Sequence, residues 1–156
     1  MKCLERYYVA YGSNLNVDEM RYRCPMAELV GTTVIKGYSL VFKGANGNAY
    51  LTIDKDENGS VPVALWKVTS YDKEMLDAYE GYPKLYHIKN VEVDGMPCFV
   101  YIMNQGYNYE LPTMSYYKRC EDGYEHNGLD KAILEQALKR TISKGVIEYV
   151  WVKDRR

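Results

Sequence analysis

Asp94-Gly95 constrains the fold of this chain more than any other pair of residues. Aspartate and glycine both tolerate positive φ, which a two-residue turn needs if it is to match the right-handed twist of its flanking strands. On either side lie runs suited to extended backbone, Tyr86 to Val93 and Met96 to Met103. Two sequential antiparallel strands are therefore expected here. Pro97 has no N–H to give, so its position at the start of the second strand predicts weak pairing or an edge.

The remaining elements follow from turn punctuation and periodicity. Tyr7 to Ala10 reads as a buried strand, and a short helix from about Val17 to Arg23 ends at Cys24-Pro25. Val30 to Ile35 and Tyr38 to Lys43 are β-rich runs around Gly37. Ala49 to Asp54 and Val61 to Val68 are expected to pair with each other across the turn-rich Lys55 to Gly59. Thr69 or Ser70 caps a helix running to about Glu80, stopped by Gly81 and Pro83. A tyrosine-rich loop, Gly106 to Tyr109, leads to a short helix from about Thr113 to Glu121. The longest helix opens at Asp130 and runs to about Lys144, with Ile133, Leu134, Ala137, Leu138 and Ile142 on one core-facing stripe. Val146 to Val152 closes as a β-like tail, expected to pair within the fold. The class is α+β with mainly antiparallel pairing, and the number of strands permits closure into a barrel.

At 156 residues, a single domain spanning 1–156 is expected. The formal net charge of −1 provides no basic field, so no nucleic-acid partner is expected. Neither a secretory signal nor a membrane-length apolar run is legible, which predicts a cytoplasmic protein without a membrane partner. Cys3, Cys24, Cys98 and Cys120 form no C-x-x-C pair, and neither His87 nor His126 has a second ligand at metal spacing. No metal site is expected, and the thiols read as reduced. The chain has 17 Tyr against 2 Phe and 2 Trp. That bias suits either a β-rich fold or a cavity lined by hydroxyl-tipped rings.

Tyr11-Gly12-Ser13-Asn14-Leu15 is a strand end, a glycine turn and a helix start in succession. Asn16 can cap the helix that follows, with Glu19 reaching back to complete a capping box. Unpaired N–H groups near a helix start attract anions, so the loop can cradle a carboxylate, a phosphate or a developing oxyanion. It can equally be a tight connection with no ligand.

Glu80 stands in the last turn of its helix, where the macrodipole disfavours a carboxylate, among Leu76, Tyr79, Tyr82, Leu85 and Tyr86. Desolvation and the helix end would both raise its pKa toward the range useful in acid–base chemistry. The alternative is a tolerated surface glutamate. Asp77 is three positions earlier and can share a face with Glu80, although a solvated helix face gives the same spacing. Asp54, Asp56 and Glu57 lack the alternation of a calcium loop. The basic groups Lys139-Arg140 and Lys153 to Arg156 read as solubility.

Three segments in order resemble the γ-glutamylcyclotransferase family. Tyr11 to Leu15 after an N-terminal strand looks like its signature loop. Leu76-Asp77-Ala78-Tyr79-Glu80-Gly81-Tyr82-Pro83, with Tyr86 beyond, resembles the segment bearing its catalytic glutamate. Tyr116, followed by Gly123-Tyr124-Glu125-His126-Asn127-Gly128-Leu129, resembles its tyrosine and glycine-rich turn. The resemblance implies a compact mixed β-barrel with flanking helices. It also implies cofactor-free conversion of a γ-glutamyl amino acid or γ-glutamylamine to 5-oxoproline and free amine, a lyase or acyltransferase reaction. Glu80 would be the general acid/base. Tyr11, Gly12, Ser13, Asn14 and Leu15 would hold the glutamyl moiety, with main-chain donors from Gly12 to Leu15 binding its carboxylate or the oxyanion, and the Tyr116 hydroxyl would close the pocket. The chain departs from the pattern in the polar run Tyr117 to Asp122, at Tyr124 and at Asp130, which bears on the leaving group. The partner expected is a small γ-glutamyl substrate, and the protein a monomer or homodimer. A non-catalytic module of the same fold, binding a γ-glutamyl or carboxylate metabolite, is the alternative.

Overall fold

The computed structural model describes residues 6–45 and 47–145. The tail expected at Val146 to Val152 lies outside them. Asp94 and Gly95 both adopt positive φ (50° and 78°), and the hairpin forms as expected: β4 (Tyr86–Val93) pairs with β5 (Met96–Met103) from Tyr86↔Met103 to Val93↔Met96. Pro97 is not on an edge. β5 lies between β4 and β1 (Arg6–Ala10), and Pro97 falls one position outside the parallel β1–β5 ladder, which starts at Tyr7↔Cys98.

Beyond β1 in the sheet come β3 (Asn48–Val68), β2 (Glu28–Ala45) and β6 (Asn108–Tyr109), giving the order β4-β5-β1-β3-β2-β6. The two pairs of runs expected in this region are two long continuous strands. The halves of β3 do not pair with each other. Both pair with β2, on either side of a break where Lys36↔Ser60 gives way to Tyr38↔Lys55. Four residues, Asp56 to Gly59, therefore lie opposite the single Gly37, whose φ of 87° favours glycine. The turn legible at 55–59 is real, but it is an excursion within one strand, held by the Asn58 amide donating to Asp56 Oδ1 at 3.1 Å. β6 forms where a plain loop was expected, with Tyr109 opposite Lys43.

The mixed sheet curls into a half-barrel, and four α-helices accompany it among the described residues: α1 (Val17–Arg23), α2 (Ser70–Glu80), α3 (Met114–His126) and α4 (Ala132–Gly145). Val9, Leu15, Met20, Leu40, Phe42, Leu51, Leu76 and Phe99 belong to one core cluster, all at most 2% exposed. Burying such a side chain contributes about 1.5–3 kcal/mol. Leu134 and Ala137 of α4 join them. The buried position on the next turn is Thr141, whose hydroxyl accepts from the Phe42 amide at 2.9 Å and donates to the Ala137 carbonyl at 2.7 Å. None of these helices is long and apolar enough to cross a membrane.

Candidate active site

α2 positions the acid. Thr69 caps it, and Thr69 and Asp72 form a reciprocal capping box, with bonds of 3.1 Å in both directions. Leu76, fully buried, locks the helix onto the core. Gly81 ends it in the left-handed region (φ 64°), so Glu80 is the last helical residue. Its carboxylate then meets the loop after β1, where Asn14 Nδ2 lies 3.4 Å from Glu80 Oε1 and also donates to the Tyr8 hydroxyl at 2.9 Å.

Asn14 is held from every side. The Trp66 indole donates to its carbonyl at 3.1 Å, and the Arg23 guanidinium donates to its side-chain oxygen. Arg23 also lies over the Tyr79 ring, 3.4 Å from the centroid, and pairs with Glu19 at 3.3 Å. Desolvation pushes the Glu80 carboxyl up to about 7, with the Arg23 charge pulling the other way. Neither arginine of this region, Arg23 nor Arg119, was singled out from sequence.

The loop makes a single 3-10 turn, Ser13–Leu15. Asn16 caps α1 by accepting from the Glu19 amide at 3.1 Å. The expected capping box is only half formed. The Asn16 amide bonds the Ser13 carbonyl instead, and the Glu19 carboxylate turns to Arg23 and Arg119. The Leu15 amide is likewise taken up, by the Gly12 carbonyl at 3.0 Å, and the Leu15 side chain is fully buried in the core. Leu15 therefore anchors the loop and is not among the cavity-lining residues. Within the loop, the amides of Tyr11, Gly12, Ser13 and Asn14 make no main-chain hydrogen bond outside the sheet and helices among the described residues.

Glu80 and residues Tyr11 to Asn14 line one cavity of about 440 Å³, within the range of small-molecule sites. Tyr116 is on its wall, with Tyr8, Tyr50, Tyr79, Tyr86 and Tyr101. The tyrosine-rich composition thus serves a polar-lined cavity as well as the sheet. Burial first, then the nearby Glu80 charge, raise the Tyr8 and Tyr11 phenols, and burial raises Tyr116. These groups stay neutral and act as donors. The Tyr11 hydroxyl is already committed to the Tyr101 carbonyl (2.6 Å) and Tyr86 to the Leu51 carbonyl (2.8 Å). Tyr8 and Tyr116 instead accept, from Asn14 and from the Leu51 amide (3.1 Å), and the Tyr116 hydroxyl also bonds the Cys120 thiol. A Cβ on Gly12 would stand 3.4 Å from the Tyr116 hydroxyl oxygen, which places that hydroxyl beside the loop.

Asp77 does not join Glu80. It accepts from Tyr101 at 2.5 Å and pairs with Lys73 at 2.9 Å, away from the cavity lining. Gly123 to His126, expected as a turn, continue α3, and the turn comes at Asn127-Gly128 with Gly128 at φ 66°. The reason is contact. A Cβ at Gly123 would be 2.7 Å from the Asn16 nitrogen and 2.8 Å from the Leu15 carbonyl carbon, so glycine lets α3 lie directly against the loop. Asn127 Nδ2 completes the join, donating to the Leu15 carbonyl at 2.7 Å. The missed Arg119 also lines the cavity. Its signal was the i,i+3 spacing from Tyr116, which puts both on one helix face. Arg23 had only its i,i+4 spacing from Glu19.

The profile of the family described as Gamma-glutamyl cyclotransferase, AIG2-like, matches residues 8–123. The chain belongs to this family. Among solved structures it is similar to one named Gamma-glutamyl cyclotransferase, at 23% identity and TM-score 0.72 over 86% of each chain. It is also similar to an uncharacterised protein of Homo sapiens, at 25% identity and TM-score 0.74 over 85% of this chain and 86% of that one. A third is YkqA from Bacillus subtilis, at 22% identity and TM-score 0.67, which shares 89% of this chain but only 54% of its own length. These likenesses place the fold. No curated protein matches the chain.

Proposed function

We propose that this protein is a γ-glutamyl cyclotransferase, releasing 5-oxoproline and a free amine from a γ-glutamyl amide without a cofactor. The observation that carries the reading is that Glu80 and the loop Gly12 to Asn14 line the same cavity. In this reaction the substrate's α-amine attacks its own γ-carbonyl carbon, closing a five-membered lactam, and the amide C–N bond breaks. No water is consumed. The ionised Glu80 takes a proton from the α-ammonium and delivers it to the departing nitrogen. A carboxyl held near 7 suits both halves of that transfer. The free amides of the loop serve the substrate's carboxylate or the oxyanion of the tetrahedral intermediate. Tyr116 closes the pocket and donates its hydroxyl proton to the bound glutamyl chain. Because the nucleophile and the carbonyl belong to one molecule, holding the chain folded supplies much of the acceleration.

We place the reaction in the cytoplasm, a placement supported by the free thiols of Cys24, Cys98 and Cys120. A monomer or a homodimer would serve, since every group named belongs to one chain. The test is 5-oxoproline release from γ-glutamyl-alanine, followed by mass spectrometry. The parent is expected to turn over and Glu80→Gln to lose about 10²–10⁴ in kcat/KM. Equal rates in the two would remove Glu80 from the mechanism. Saturable binding with no product would mark a binding module of the same fold.

A further inference from the structure

Among the described residues, Glu80 and Arg119 are the two charged residues that line the cavity, and they differ in how they are engaged. Both are partly exposed, but the Glu80 carboxylate meets Asn14 Nδ2 at 3.4 Å, whereas the Arg119 side chain is 41% exposed. The Arg119 main chain is fixed, since Asn16 Nδ2 donates to its carbonyl at 3.3 Å and Gly123, one turn on, abuts the loop. Its guanidinium is not. It makes no hydrogen bond among the described residues, and its ion-pair partner, Glu19, stands at 3.7 Å and is shared with Arg23 at 3.3 Å. A planar fork of five donors is thus held at the rim with capacity to spare.

The substrate's own geometry says what that fork would meet. Its α-amine must reach Glu80, and the α-carboxylate on the same carbon is then drawn to the inner end, beside the loop. The departing group lies across the scissile bond and must leave by the open end. If it is an α-amino acid it carries a carboxylate one carbon from the breaking bond's nitrogen. If it is a simple amine it carries none. We infer that Arg119 recognises the carboxylate of the departing group, making the preferred substrates γ-glutamyl α-amino acids over γ-glutamyl alkylamines. This rests on the cyclotransferase reading above.

Ethylamine is alanine without its carboxylate, so γ-glutamyl-alanine and γ-glutamyl-ethylamide isolate the question. The measurement is the ratio of their kcat/KM values, which is internal to each variant and so unaffected by partial misfolding. In the parent the alanine substrate is expected to lead by about 10- to 100-fold, the worth of one charge-assisted pair. Arg119→Met should bring the ratio to about one, and Arg119→Lys should leave it intermediate. A parental ratio of one or below would overturn the inference. So would an Arg119→Met variant that loses both substrates equally, because the guanidinium would then be holding the glutamyl carboxylate. If the parent makes 5-oxoproline from neither substrate, the cyclotransferase reading fails first and takes this inference with it.

Discussion

The inner end and the rim of the cavity are built on opposite plans. At the inner end every polar atom of the Asn14 side chain is engaged, by Tyr8, Glu80 and Arg23, and its carbonyl is held by Trp66. At the rim, Asn48, Tyr50 and Arg119 make no side-chain hydrogen bond among the described residues, although all three line the same cavity. Around Asn14 the side chains of the inner end bond to one another and hold one geometry. The rim leaves its donors for whatever arrives. A saturated network gives a reaction its precision, and an unsaturated edge gives it selectivity.

The sharpest way to break this contrast is at Glu80. Its folded-state value of about 7 stands above the usual 4.5. Between the two, the folded protein keeps a proton that the unfolded chain has released, so stability falls as pH rises through that window and levels off beyond it. At 1.36 kcal/mol per pK unit the cost at pH 8 is up to about 3 kcal/mol. Glu80→Gln, inactive by the proposal above, should therefore melt several degrees higher than the parent at pH 8. The gap should close below about pH 4.5, and thermal denaturation across pH reads it directly.

Arg23→Met comes next. It strips Asn14 of a donor, Tyr79 of its stacked cation and Glu19 of a partner, at about 1–3 kcal/mol of stability. Because the Arg23 charge lowers the Glu80 value, the acid limb of kcat/KM against pH should move to higher pH in this variant. An unmoved limb would show that Arg23 only supports the fold. At the seam between inner end and rim, Gly123→Ala forces a methyl against the main chain of Leu15 and Asn16 and should cost about 1–2 kcal/mol in chemical denaturation. The smallest expected effect is that of Tyr116→Phe. It leaves the Leu51 amide without its acceptor, about 1 kcal/mol, and raises KM for the γ-glutamyl substrate more than it lowers kcat.

Local chemistry made half of this readable in the sequence. Asp94-Gly95 fixed a hairpin to the residue, and Thr69 and Gly81 fixed the ends of α2, because turns and caps are decided by neighbours in the chain. Glu80 was conspicuous for the same reason, a carboxylate at the unfavourable end of its helix. What the sequence did not reveal was choice of partner. Nothing local tells the halves of β3 to pair with β2 and not with each other, and the strong turn signal at Lys55 to Gly59 argued for the wrong neighbour. Arg23 and Arg119 escaped for a related reason. Each matters through a contact with a loop or rim that only tertiary packing brings near.

The site joins segments far apart along the chain: Ser13 meets Tyr79 across 66 positions, Tyr11 meets Tyr101 across 90 and Leu15 meets Asn127 across 112. At a synthesis rate of about 5–20 residues per second, the signature loop emerges some 5–20 s before the helix that walls it in. During that interval β1 has the β3 side of its ladder available before its parallel partner β5 exists, leaving one edge of the future central strand open. The nascent chain therefore carries an exposed strand edge and no cavity, and the cavity is walled in only when α3 docks.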